Sequence, residues 1–121
     1  MQCRLPRMQT MISAVDVVLS GTFDSTYGYV TIDGTKYTSA QTLTVAKGTS
    51  VTVYCSGRGR PDYSSIKLNG TTVAQGTISP GTVPAAEYTF AVTDNCSITV
   101  ENDGMGSESL FFYYAAITMP A

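Results

Sequence analysis

The sequence predicts an all-β domain, an immunoglobulin-like antiparallel β-sandwich with an N-terminal arm. Three observations predict it. Apolar residues recur at a spacing of two along most of the chain. Two hairpin-type pairs, Asp33-Gly34 and Asn69-Gly70, sit inside that alternation. Charged residues, which the solvent side of a helix needs, make up only 13% of the 121 residues, about half the usual share. Thr, Ser, Gly and Tyr take their place, and these suit strands and turns. A hydrophobic share of 43% is enough for one core in a chain of this length.

Taken in order, residues 1–12 show no sustained period and contain Pro6, so they read as an arm; residues 13–121 read as the domain. Val15, Val17 and Leu19 then alternate with Ala14, Asp16, Val18 and Ser20. Residues 27–32 and 35–38 flank Asp33-Gly34 as a hairpin, and residues 64–68 and 71–74 flank Asn69-Gly70 in the same way. Residues 42–45 and 49–55 are strands separated by Lys47-Gly48. A stretch rich in Gly and Pro, residues 75–84, precedes strands at 86–92, 96–101 and 109–119. Turns are expected at Asp94-Asn95 and at residues 102–106. Short strands at this spacing favour a sandwich.

The segments echo one another. Residues 29–35 and 64–71 share one hairpin pattern, and Val51-Thr52-Val53 is matched by Ile98-Thr99-Val100. Internal duplication and convergence on one hairpin solution both account for these echoes, and either is compatible with two sheets burying each other's faces.

Seven basic against nine acidic residues, with no basic cluster, argue against nucleic-acid binding, which needs concentrated Lys and Arg to neutralise phosphates. The chain has no histidine, so the commonest general base, the Ser-His and Cys-His pairs and the commonest metal ligand are all missing. The acids are scattered singly, whereas paired-carboxylate chemistry needs two at close quarters. No enzyme, catalytic residue or cofactor is expected. No apolar run approaches the ~20 residues that cross a bilayer. Arg4 and Arg7 could open a signal peptide, but Gln9, Thr10, Ser13 and Asp16 interrupt the apolar stretch it would need.

Four groups of residues could carry something. Alternation places Cys55 with Val51 and Val53, and Cys96 with Ile98 and Val100, on inward faces. A cross-sandwich disulfide worth about 2–4 kcal/mol and two buried thiols both fit, and Cys3 is left over in each case. An odd count without a leader-like segment favours reduced thiols. Zinc is not expected without histidine or a close Cys pair, and the turn Glu101-Asn102-Asp103-Gly104 lacks the ligand spacing of a calcium loop. Residues 57–63 place Arg58 and Arg60 on a glycine-rich loop beside Tyr63, where they could grip an acidic partner or form a solvated loop with a weak pair to Asp62.

The last strand is the most distinctive feature. Leu110, Phe111, Phe112, Tyr113 and Tyr114 are apolar or aromatic on both faces. One face fills the core and the other needs cover, from the N-terminal arm, from residues 75–84 or from another chain. Other tyrosines, Tyr27, Tyr29, Tyr37, Tyr54 and Tyr63, lie on or beside strands, where they read as half-buried sandwich residues or as a sugar-stacking platform.

The run Tyr29-Val-Thr-Ile-Asp-Gly-Thr-Lys-Tyr-Thr-Ser-Ala, the following Thr42-Leu-Thr-Val-Ala-Lys-Gly-Thr-Ser-Val-Thr-Val and the later Ile66-Lys-Leu-Asn-Gly-Thr resemble small Ig-like proteins of phages and prophages of Gram-positive gut bacteria. The resemblance spans roughly residues 15–118 and is carried by hairpin turns and alternation, which surface-layer and adhesion repeats share. It implies a virion structural protein (capsid decoration, neck or tail attachment), assembled in the host bacterial cytoplasm, with other virion proteins and further copies of itself as partners. The alternative is a carbohydrate-binding or adhesion module with weak affinity for glycans. Nucleic acid and membrane are not expected as partners.

Overall fold

Along β1 (Ala14–Gly21), Val15, Val17 and Leu19 are buried while Asp16 and Val18 face outward. That is the period-two pattern expressed as a strand with one core face. The computed structural model describes residues 13–77, 85–107 and 109–120, and of residues 105–107 the backbone alone. The arm expected at residues 1–12 lies outside the described residues, as does most of the Gly- and Pro-rich stretch.

Both expected hairpins are present. β2 (Gly28–Ile32) turns into β3 (Thr35–Tyr37) through Asp33 and Gly34 at φ 50° and 84°. β7 (Ser65–Leu68) turns into β8 (Thr71–Gln75) through Asn69 and Gly70 at φ 49° and 87°. Two successive positive φ values make the tight turn whose twist matches the strands it joins. Between the hairpins come β4 (Gln41–Ala46), β5 (Ser50–Cys55) and the two-residue β6 (Gly57–Arg58), then a 3-10 turn at Pro61–Tyr63. β9 (Ala86–Ala91), β10 (Cys96–Ser107) and β11 (Leu110–Thr118) complete the order.

The turn expected at residues 102–106 is absorbed into β10. Its pairing with β11 passes from Asp103↔Phe112 to Ser107↔Leu110 through a register shift. A bulge accommodates the extra residues there, so the aromatic start of β11 keeps a partner strand.

Two sheets pack face to face. The larger runs β4-β1-β10-β11-β7-β8 with β6 also on β11, and the smaller runs β3-β2-β5-β9. Val17, Leu19, Ile66, Ile98, Val100 and Ile117 meet Val30, Ile32, Val51 and Val53 in one core. Full burial of each such side chain contributes about 1.5–3 kcal/mol.

The larger sheet is mixed, which corrects the purely antiparallel expectation. β1 runs parallel to β10, and β7 runs parallel to β11. Immunoglobulin sheets follow the order C-F-G, with the last strand outermost. Here the last strand is interior, between β10 and β7.

The parallel pairings have a common origin in the layout. Without β1, β11 and the short β6 on β11, the larger sheet would read β4-β10-β7-β8 and the smaller β9-β5-β2-β3. These are the same arrangement built twice: a hairpin, a central strand, and an edge strand contributed by the other half. Directions agree as well. β2 and β9 are antiparallel to β5, while β7 and β4 run opposite to β10 across the intervening β11 and β1. Residues 42–53 also align with residues 89–100 without a gap, sharing Thr42/Thr89, Val45/Val92, Ser50/Ser97, Thr52/Thr99 and Val53/Val100. The sequence echoes therefore occupy equivalent places in opposite sheets, the arrangement a duplicated unit produces.

Candidate functional site

Pairing decides which face of β11 is inside. Tyr113, Ala115 and Ile117 point into the core, at 8%, 2% and 1% exposure, while Leu110 and Tyr114 face outward at 42% and 38%. Phe112 shares the outward side and is half-buried. Tyr113 is thus a core residue, closed to any outside partner. Its ring lies over Gly28, where an added Cβ would sit 2.6 Å from a ring carbon. Burial raises the Tyr113 pKa and the charge of Asp24 adds to this, against a hydrogen bond with Asn102 that lowers it. Phe111, on the inward side, meets Tyr27 edge-on at 5.0 Å and Tyr113 at 6.1 Å.

The outward residues join the loop that the sequence set apart from them. Tyr63 packs edge-on against Phe112 at 5.5 Å, and Phe112 lies 5.8 Å from Tyr114. The Arg60 guanidinium stacks 4.3 Å from the centre of the Tyr63 ring and pairs with Asp62 at 3.2 Å. Arg60, Tyr63, Phe112 and Tyr114 form one continuous stripe, so the expected interface strand and the expected partner loop are a single surface. Arg58 is exposed on β6, which pairs with β11 at Phe111 and Phe112. The position of Arg60 differs from a free carboxylate grip, because Asp62 and the Tyr63 ring already engage it. In the same turn, Arg60 Nε, Asp62 Oδ1 and Ser64 Oγ are buried without a hydrogen-bond partner among the described residues.

The stripe's flanks carry opposite charges. On the β10 side, Glu101 stands beside Tyr114 and Asp103 beside Phe112, both exposed. On the β7 side, exposed Lys67 stands beside Ala116. Toward the other end the outer face changes to small side chains, with Ser20 and Thr99 joined at 2.9 Å next to Ala116. An open groove of about 550 Å³ lies there, lined by Val18, Ser97, Thr118 and Met119 among others.

The smaller sheet carries a second aromatic set that sequence reasoning did not assemble. Tyr29 and Tyr54 face each other across β2 and β5 with ring centres 4.9 Å apart, and Lys36 Nζ sits 4.1 Å over Tyr29. Burial raises the Tyr29 pKa, with smaller contributions from Tyr54 and Glu87. The pairing needs the β2–β5 register, which the sequence does not print. A sugar platform needs an open ring face, and both faces of Tyr29 are occupied.

Cys55 and Cys96 are free and buried. Cys55 lies opposite Gly28, against Tyr113, whose β10 partner is Asn102; Cys96 is six residues earlier on that strand, about 20 Å away. A disulfide needs Cα atoms within about 7 Å, so these two thiols are structural. Burial pushes the Cys55 thiol up to about 12 and raises that of Cys96. Among the described residues, no group of three or more His, Cys, Asp and Glu could hold a metal ion, and no helix is long and apolar enough to cross a membrane.

No family model matches the chain, and neither the curated proteins nor the solved structures contain a match to it.

Proposed function

We propose that the chain is a non-catalytic structural or accessory protein of a phage virion, a capsid decoration or a neck or tail attachment, assembled in the host bacterial cytoplasm. In this reading it is an immunoglobulin-like sandwich whose last strand has moved inward, and residues 1–12 act as an arm that adds assembly contacts. The observation that carries the reading is the aromatic stripe in which Tyr63 and Tyr114 flank half-buried Phe112 and are exposed, with exposed Leu110 beside it. An outer sheet face is ordinarily polar, and aromatic residues with a hydroxyl to spare are enriched at protein interfaces. The resemblance to phage Ig-like proteins supplies the virion setting. Phe112→Asp is the test: it abolishes self-association or particle binding and leaves the circular dichroism spectrum and cooperative unfolding in place. Unchanged assembly in that variant overturns the reading.

A carbohydrate-binding or adhesion module is the second reading, favoured by the exposed Tyr63 and Tyr114 rings and by exposed Arg58. A glycan array probed with the protein, and again with a multimeric form of it, decides between the two. Binding that survives Phe112→Asp but not Tyr63→Ala supports the glycan reading, and silence on both arrays removes it.

A further inference from the structure

The assembly reading leaves open what covers the aromatic face, and the charges around it narrow the choice. Acids lie on one side of β11 and a base on the other, with the aromatic residues between. A surface with this left-right polarity is complementary to itself under one two-fold rotation. We propose that the outer face of the larger sheet binds a second copy of this chain across a two-fold axis running along β11. This rests on the stripe being an interface, the premise of the assembly reading.

The charges select the axis. A two-fold parallel to β11 exchanges left and right between facing copies, so the Glu101–Asp103 flank of each meets the Lys67 flank of the other. A two-fold lying in the face but across the strands brings each flank onto its own copy, acid on acid, which like-charge repulsion disfavours. The parallel axis also stacks the two sheets with their strands nearly aligned, the common way for sheets to pack, at a separation of about 10 Å. Phe112 and Tyr114 of each copy then fall against the same residues of the other.

Ala116 and Thr99 keep the middle of the face low enough for close approach. The sheet's main path has six strands. At ~4.8 Å between strands and ~3.3 Å per residue, such a face offers roughly 700 Å² per copy. Twice that is about 1,400 Å², within the range of specific interfaces. Among the described residues neither Glu101 nor Lys67 is held in an ion pair within the chain, which leaves both for a partner.

The experiment is light scattering on a size-exclusion column, with the full chain at about 100 μM, followed by charge exchange. The wild type elutes at twice the chain mass. Lys67→Glu and Glu101→Lys each weaken the dimer about tenfold, because each places like charges together twice across the axis. The double variant, Lys67→Glu with Glu101→Lys, restores opposite charges in both places and returns to within about threefold of wild type. Circular dichroism on all three separates lost association from lost folding. A wild type that is a monomer, or a trimer or larger ring, overturns the proposal, as does a double variant no tighter than the singles. A monomer that still loses capture of a larger assembly on Phe112→Asp overturns the two-fold alone and leaves the assembly reading standing.

Discussion

Cys55 shows how a single residue's environment sets both its chemistry and its contribution to stability. It is fully buried, and desolvation drives its thiol pKa to about 12 against 9.0 for an exposed group. The folded chain therefore holds this proton where the unfolded chain releases it. A raised folded pKa leaves stability untouched below pH 9; from there upward, ionisation of the unfolded thiol draws the equilibrium toward the unfolded state until the folded thiol titrates near 12. Cys96, shifted in the same direction, adds to the effect. Urea unfolding at rising pH is expected to show stability falling above about pH 9, by at most about 1.4 kcal/mol per pH unit for each thiol. Cys55→Ala should flatten that slope, and an unchanged slope removes Cys55 as its cause. The inward placement of both cysteines was legible from their alternation with Val51, Val53, Ile98 and Val100. Their distance apart was not, because it depends on which strands are neighbours.

At the scale of elements, the hairpins are the clearest case of sequence writing structure. Asp33-Gly34 and Asn69-Gly70 take the positive φ values their residue types permit, and nothing stands within 4 Å of where a Cβ on Gly34 or Gly70 would lie. Gly70→Ala therefore meets no clash, and its cost comes from φ of 87° alone. A loss of about 1 kcal/mol is expected in thermal or urea unfolding. A neutral result would mean that the turn gives way in place of β7 and β8. The last strand is the opposite case. Phe111 and Tyr113 are as apolar as Phe112 and Tyr114, so alternation alone leaves two equal choices of inner face. Gly28 helps to decide between them: it has no side chain in the space that the Tyr113 ring fills, and it lies far away in sequence. The stripe with Tyr63 was illegible for a similar reason. It forms only when the 3-10 turn at Pro61–Tyr63 is set beside β11.

At the scale of the whole molecule, composition and alternation reached the sandwich but not its strand order, because order depends on which strands β1 and β11 join. Apart from the short β6, which pairs with β11, the repeated unit of hairpin, edge strand and central strand accounts for both sheets except β1 and β11. These two enter the larger sheet on either side of β10 and make its parallel pairings. Their position makes the C-terminal strand structural in a way that an outermost strand would not be. β11 pairs with β10 along most of its length and with β7 and β6 on its other side, and it buries Tyr113, Ala115 and Ile117. Opening it would split the larger sheet and expose its half of the core, so the lowest-energy fluctuation that frees its amides should be global unfolding. Native-state hydrogen exchange is therefore expected to place the amides of residues 113–117 in the slowest class, with those of Ile98 and Val53. Edge strands β3 and β4 should exchange much faster through local opening. Exchange of β11 as fast as β3 or β4 would show that the strand comes away independently, and the outer face it carries would then be a mobile flap, unsuited to holding a rigid partner.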